Sequence, residues 1–508
     1  MTTKSSQPRP IDIKAGVQPA TDATASSTSH YTYTEGVRFN QGLPEKIGGW
    51  MRQNFDYGAT LSGVTRTLFT DTVAGKDYLL LGTNSNLYAQ IGSRLSDISP
   101  VGLASGRVDE GASQGYGAGL YGIGLYGTAL VSNLGRLCPR IWFVDRFANS
   151  FVMTPGNQNG LYQWFGDVLT KPVLVENAPT NINYAFVSNN IIVTFGAENI
   201  ENRIFSSDFD INVWTSSSTN QVYDDDIEGA GRLTSHCPAQ DTNLIFTTTK
   251  TYTFRYIGLP NVWEILPLDD KVGIIAPMAR VSVNGDAFWM SLENFHVYRG
   301  GRTQVIPANT QDESTALRYV FDDLNYGQKS KIFAWYNPRY KEVWYHYPSA
   351  NSNECDRVIR VNLSDFSWSI DKLPRTAGEY PSVKTPNPYL ANSNILYKHE
   401  LGVNADQMPL SFNLIGPRLY NGKSNLMVTG FIPDSIQTND INFTVTGYRY
   451  PQSVMPTDTK TEIVTPNTEF FQSAIAARYY QYQWQGNALD QDWRMGTWFD
   501  DVQSGPTQ

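Results

Sequence analysis

The chain has 508 residues and a formal net charge of −9, with 17% charged residues, 13% aromatic residues and three cysteines. That length exceeds one ordinary core and predicts two or more domains or one large repetitive architecture. The acidic balance argues against a phosphate-gripping surface of dense lysine and arginine. Cys138, Cys237 and Cys355 are widely spaced with no C-x-x-C, which argues against a disulfide framework or a zinc site and reads as buried, reduced thiols.

Residues 1–30 are rich in Ser, Thr, Ala, Pro and Gln and read as a flexible arm that lacks enough apolar surface to order alone. The start carries no apolar signal-like region, and no run approaches the ~20 apolar residues of a membrane helix. The expectation is a chain made in a reducing cytoplasm, without membrane insertion. Residues 31–58 precede the regular strand pattern.

From 59 to 373 short alternating strands follow one another. "DYLLLGTNSNLYAQ" holds two strands around a Gly/Asn turn, and "RIWFVDRFANSFVMTPGNQNGLYQWF" holds three. "RVSVNGDAFWMSLENFHVYRGGRTQVI" holds four, with Asn284-Gly285 as a type I′ hairpin turn. About six antiparallel units result, and four-stranded units repeated radially are the blades of a β-propeller. The fold class read from the chain is therefore mainly β, an irregular propeller of about six blades. A stacked sandwich array is the competing architecture. One helix is expected over Asp312–Asn325, with Leu317, Val320, Phe321 and Leu324 on one face and Asp312 as N-cap. After 374 the texture changes to a linker-like stretch and then a second β domain, 374–500, before a flexible tail at 501–508.

Between the first two units lies "QGYGAGLYGIGLYGTA", with two overlapping copies of G-x-G-x-x-G: Gly117, Gly119, Gly122 and then Gly122, Gly124, Gly127. A dinucleotide loop must leave a buried strand and open a helix. Here the preceding residues are polar and glycine-broken, and the following ones are short and stopped by Pro139. The motif instead repeats every five residues with a tyrosine. Tyr116, Tyr121 and Tyr126 with these glycines read as a loop suited to a subunit interface.

No catalytic, cofactor-binding or metal-binding residue is assigned. His30, His236, His296, His346 and His399 form no metal-spaced pair, and His296 and His346 lie within aromatic strands as structural residues. No G-x-S-x-G elbow occurs. Carboxylates are numerous, so a glycosidase pair stays open. "SSDFDINVW" loosely resembles the sialidase turn motif, itself a structural hairpin turn. Acidic clusters occur at Asp224, Asp225, Asp226 and Glu228, at Asp269-Asp270, at Asp322-Asp323 and at Asp500-Asp501. Each reads as a solvated loop end or as part of a negative wall that repels phosphate, and the Asp224–Glu228 run is the best candidate for a flexible, channel-facing loop.

The stretch "VRFNQGLPEKIGGW", Val37 to Trp50, resembles the N-terminal signature of the tail hub or nozzle proteins of short-tailed bacteriophages, the family that includes the packaged-DNA stabilisation proteins. Looser likenesses continue in order to about residue 500, through "GIIAPMARVSVNGDAFWMSLENFHVYRGG", "WYNPRYKEVWYHYPS" and "RYYQYQWQGNALDQDWRMG". The resemblance implies a propeller plus a platform domain built from both chain ends, here 31–58 and 374–500. It implies a homohexameric ring in the virion tail, below the portal and its adaptor ring, that retains packaged double-stranded DNA and passes it outward without reading its sequence. Fibre, spike or needle proteins would dock on it, and neither enzymatic activity nor a cofactor is implied. The alternative from another class is a carbohydrate-binding or carbohydrate-degrading propeller, a lectin or depolymerase of a phage tail.

Overall fold

The computed structural model describes residues 7–19, 29–111, 138–156, 160–306, 315–380, 387–420 and 426–504. Among these, seven four-stranded antiparallel sheets follow one another along the chain. Blade 1 spans Thr65–Val73 to Arg94–Asp97, and blade 2 spans Phe143–Phe147 to Val173–Leu174. Blade 3 spans Tyr184–Ser188 to Tyr223–Asp226, and blade 4 spans Leu233–Pro238 to Val262–Asp269. Blade 5 spans Arg280–Val283 to Arg302–Val305, and blade 6 spans Phe333–Asn337 to Trp368–Asp371. Blade 7 takes Ala377–Glu379, Tyr389–Asn392 and Ile395–His399 from the chain beyond 374, and its fourth strand, Trp50–Arg52, from the N-terminal side.

The first strand of each blade packs beside the first strand of the next, and the first strand of blade 7 packs beside that of blade 1. The ring is therefore closed, with first strands at the axis and fourth strands at the rim. The blade count is seven where the sequence suggests about six. The extra blade straddles the boundary expected near residue 374, because its rim strand comes from the other end of the chain.

Burial explains the strand sequences. Second strands lie between two neighbouring blades, so both faces are covered: every residue of Ser150–Thr154, Ile191–Phe195 and Glu342–Tyr347 is buried. Such strands lose the polar–apolar alternation of a half-solvated sheet. Rim strands keep polar residues, as in Tyr223–Asp226. The core is distributed between adjacent blades, with Phe295 of blade 5 against Tyr345 of blade 6 at 4.8 Å and Phe186 of blade 3 against Phe254 of blade 4 at 6.1 Å. The Asn284-Gly285 hairpin joins Val283 to its partner Asp286, with φ of 53° and 91° at the two turn residues, the left-handed pair a type I′ turn requires. The helix is Thr315–Asp322 and buries Val320, with Leu324 just beyond it; the expected cap at Asp312 lies outside the described residues.

The remaining strands form a β platform of three sheets in which both chain ends interleave, and a two-stranded parallel pair, Lys14–Val17 with His30–Tyr31. Gln7–Pro10 joins Phe499–Ser504, Leu426–Ile432 and Phe471–Ala477. Tyr33–Glu35 joins Phe412–Ile415, Tyr479–Gly486, Ile441–Tyr448 and Asp458–Val464. Val37–Asn40 and Leu43–Lys46 join Trp493–Met495 and Ser435–Gln437. The platform core is aromatic, with Trp484, Trp493, Trp498, Phe412 and Phe443 buried. Asp500 lies within it, paired to Arg9 at 2.6 Å and accepting from the Tyr482 hydroxyl at 2.7 Å. The acidic pair at 500–501 is thus not a solvated loop end: Asp500 is fully buried and ties the two chain ends together.

Candidate functional site

Two places on the molecule concentrate buried charge: the seam between platform and propeller, and the mouth of the propeller axis.

The seam is built by residues 34–50. Thr34 donates its hydroxyl to Ile370 O and accepts from Ile370 N, each at 2.8 Å, which fixes the platform to the rim strand of blade 6. Asn362 donates to Phe39 O at 2.9 Å. Arg38 is fully buried. It pairs with Glu400, lies 3.7 Å from Glu342, and sits over the Tyr340 ring at 3.6 Å from its centroid. Burial alone would lower its pKa, but Glu342 and Glu400 outweigh burial and raise it. Glu342 is pushed up by burial against the pull of Arg38 and Arg360. Lys46 donates to Val403 O and to Gln491 O, each at 2.6 Å, and burial lowers its pKa to about 8.

The chain then passes too close to its neighbours for any side chain. A Cβ on Gly48 would lie 2.3 Å from Glu400 Oε2, and one on Gly49 would lie 2.3 Å from Asn404 O. Trp50, half-buried rather than enclosed, stacks on His399 at 5.0 Å and beneath Arg375 at 4.7 Å, while Arg375 Nε donates to His399 Nε2 at 2.9 Å. The conspicuous sequence Val37–Trp50 is therefore the piece that enters the platform, crosses the seam and closes the propeller ring.

The mouth lies where the first strands begin. A cleft of about 70 Å³, partly open to solvent, is walled by Ile141, Phe143, Leu233 and Ile275. Its charged lining is Arg232, Lys329 and Glu110. Glu110 is occupied, since its Oε2 accepts from Ser330 N at 3.2 Å and Ser330 Oγ at 2.7 Å. Beside it, Lys331 binds Asp109 at 2.5 Å and Glu354 at 3.0 Å, and Arg66 holds Glu354 at 2.6 Å. Residues 109–110 of the chain leaving blade 1 are thereby strapped onto residues 330–331, which lead into blade 6, across the intervening blade.

Arg232 donates to Cys138 Sγ at 3.4 Å. Below it on the axis, Arg280 donates to the Tyr184 hydroxyl at 2.9 Å, which also meets His236 Nδ1 at 2.9 Å. Burial, with Arg280 adding to it, lowers the His236 pKa well below its usual value. Glu379, on the first strand of blade 7, is raised to about 8 by burial, with Arg280 opposing. These groups sit at the starts or ends of first strands scattered along the chain, so no local motif marks them. Only the ring closure brings them together.

The other expected residues distribute as follows. Asp224, Asp225 and Asp226 belong to the rim strand of blade 3 rather than to a flexible loop, in register with Arg203–Ser206. They and Glu228 are exposed. Arg203 pairs with Asp226 at 2.7 Å, Asp224 at 3.5 Å and Glu198 at 2.6 Å. Their strand is at the rim, away from the propeller's own axis. Asp269 accepts from Lys271 N and Val272 N, Asp322 pairs with Arg318, and Asp323 pairs with Arg357. Tyr116, Gly117, Gly119, Tyr121, Gly122, Gly124, Tyr126 and Gly127 lie outside the described residues, and that segment's flanks, Glu110 and Cys138, both line the mouth cleft.

His296 stacks on Trp289 and meets Ser291 Oγ at 3.1 Å, and His346 accepts from Trp335 Nε1 at 3.3 Å, both as structural residues. Cys237 and Cys355 are buried thiols, whereas Cys138 is only half-buried. Trp214 closes the turn after "SSDFD" by donating to Ile211 O at 2.6 Å. Among the described residues no group of three or more His, Cys, Asp or Glu could hold a metal, and no helix is long and apolar enough to cross a membrane.

The molecule is a seven-bladed β-propeller protein carrying a β platform. No family model matches the chain, and no curated protein matches it. Solved structures with some likeness include virginiamycin B lyase from Staphylococcus aureus, with 8% identity, 69% of this chain and 98% of that one covered, and a TM-score of 0.41. The WD40 β-propeller domain of Doa1 has 9% identity, coverage of 69% and 97%, and a TM-score of 0.37. The extracellular domain of the putative one-component system BT4673 from B. thetaiotaomicron has 8% identity, coverage of 88% and 58%, and a TM-score of 0.44. At these values no ligand, chemistry or partner is carried over from them.

Proposed function

We propose that the chain is a structural virion protein, the nozzle or hub of a short-tailed phage tail. In this reading six copies form a ring below the portal and adaptor, retain the packaged DNA and pass it during ejection. The observation that carries the reading is the place of Val37–Trp50. The segment on which the resemblance rests welds a platform made of both chain ends to a closed propeller, through the buried Arg38–Glu342–Glu400 cluster. Among the described residues platform and propeller are joined into one body, which suits a ring that must bear the force of a pressurised genome.

Fibre, spike or needle proteins and the adaptor ring are the expected partners, and the protein acts without a catalytic centre. The exposed run Asp224, Asp225, Asp226 and Glu228 would weaken phosphate contact if it lines the shared lumen. Mass photometry of detached tails should find six copies, and purified chain incubated with the adaptor should yield six-fold rings in negative stain. A single copy per tail, or release of oligosaccharide from host polysaccharide by the purified chain, would instead support the carbohydrate-acting propeller.

A further inference from the structure

We infer that the cleft at the propeller mouth binds a small organic monoanion, a carboxylate carried on a partly apolar body. The cleft is small, about 70 Å³, well under the roughly 300–1,000 Å³ of sites for drug-sized ligands, so it admits the carboxylate end of a small molecule between apolar walls and a few convergent polar groups. The walls are Ile141, Phe143, Leu233 and Ile275. The charge in the cleft is unbalanced. Arg232 and Lys329 both line it, and among the described residues neither forms an ion pair. Glu110, the lone carboxylate of the lining, is already held by Ser330.

Arg232 makes one hydrogen bond, to a sulfur, although a guanidinium carries five donors in a planar fork. Glu110 and Glu201 act on it only at longer range. Arg232 is half-buried and its Nε is enclosed without a partner, and a bidentate carboxylate is the ligand that a guanidinium fork fits. Arg280 beneath the floor, bonded to the wall residue Tyr184, has no ion pair either. This basic pocket stands on a chain whose net charge is −9. Two cations against one carboxylate leave one positive charge, which a monoanion neutralises and a phosphate dianion overshoots.

The test is calorimetric titration of the full-length protein with benzoate, with benzyl alcohol as its neutral counterpart, and with inorganic phosphate. Benzoate is expected to bind saturably, and benzyl alcohol about tenfold or more weakly, the usual span for one charged hydrogen-bond pair. Arg232→Gln should weaken benzoate by a similar factor. Lys329→Gln, which removes no side-chain hydrogen bond or ion pair among the described residues, should weaken it by a smaller one. Absence of saturable benzoate binding overturns the inference. So does equal affinity for benzyl alcohol, tighter binding of phosphate than of benzoate, or unchanged benzoate affinity in both variants.

Discussion

At the seam, Arg38 is enclosed by Glu342, Glu400 and the Tyr340 ring; at the mouth, Arg232 meets only the Cys138 sulfur. Arg38 has left bulk water entirely, and Arg232 is half-buried with its Nε enclosed. The first sits in a cluster whose two carboxylates have no other cation within ion-pair distance among the described residues, so it is part of what makes platform and propeller one body. The second keeps unused donors beside a cleft. Burial of a charge therefore marks structure in one region and availability in the other, and the discriminating observation is whether the opposite charge is already in place.

The sharpest way to break this contrast is to remove each arginine. Arg38→Met leaves Glu342 and Glu400 buried without their cation, and breaking a buried pair from one side costs about 3–5 kcal/mol. Urea unfolding should show a loss of that size. A loss under about 1 kcal/mol, the range of an exposed pair, would mean the cluster is not what holds the seam.

Gly49→Ala attacks the same seam sterically. Its Cβ would meet Asn404 backbone atoms at 2.3 and 2.5 Å, so an overpacking cost of roughly 1–3 kcal/mol is expected from thermal melts. Gly231→Ala, beside Arg232, is the control. Nothing lies within 4 Å of its Cβ, and its cost comes only from φ of +68°.

Acid should act on the seam next. Burial, with Arg375 and His346 adding to it, holds the His399 pKa well below the ordinary value, and His346 is lowered by burial with Arg375 and Arg360. The unfolded chain takes up these protons near pH ~6.5 while the folded chain resists. Stability is thus full above about pH 6.5 and falls as the pH is lowered through the folded-state values. Melting temperature measured from pH 7.5 to 5 should decline, and His399→Gln should flatten the decline. A melting temperature that holds constant or rises toward pH 5 would contradict the burial of neutral imidazoles.

Smaller effects are expected where charges are unpaired or exposed. Arg232→Gln should change folding stability by no more than about 1 kcal/mol, because no ion pair is lost and the side chain is only half-buried. Replacing Asp224, Asp225 and Asp226 by lysine removes only rim pairs with Arg203, each worth about 0–1 kcal/mol. That variant should fold normally. In the proposed nozzle it should assemble and then release DNA more slowly, with raised salt restoring the rate; normal release at every salt concentration would remove the charge from the account.

Much of the propeller is legible in the sequence, for local reasons. Asn284-Gly285 announces its hairpin because two left-handed residues are needed there, and runs such as "IIVTF" and "EVWYHY" show that both strand faces are covered. The seventh blade is not legible in this way. "AGEYPSVKTPNPYLANSN" reads as a linker, and the rim strand that completes that sheet is Trp50–Arg52, from the other end of the chain. Asp500 misleads for a related reason: "FDD" looks like a solvated end until Arg9 arrives from the opposite terminus. The mouth cleft is least legible, since Glu110, Arg232 and Lys329 belong to three different connections between blades. The segment Val37–Trp50 stands out in sequence because charge and close-packed glycine are both required where it crosses the seam.

The claim beneath these comparisons is that platform and propeller unfold as one unit because the Arg38 cluster and Val37–Trp50 join them. Differential scanning calorimetry of the full-length protein tests it most directly. The account predicts a single transition whose calorimetric and van't Hoff enthalpies agree, and its separation into two transitions in Arg38→Met. Two resolved transitions in the unaltered protein, unchanged by Arg38→Met, would contradict it.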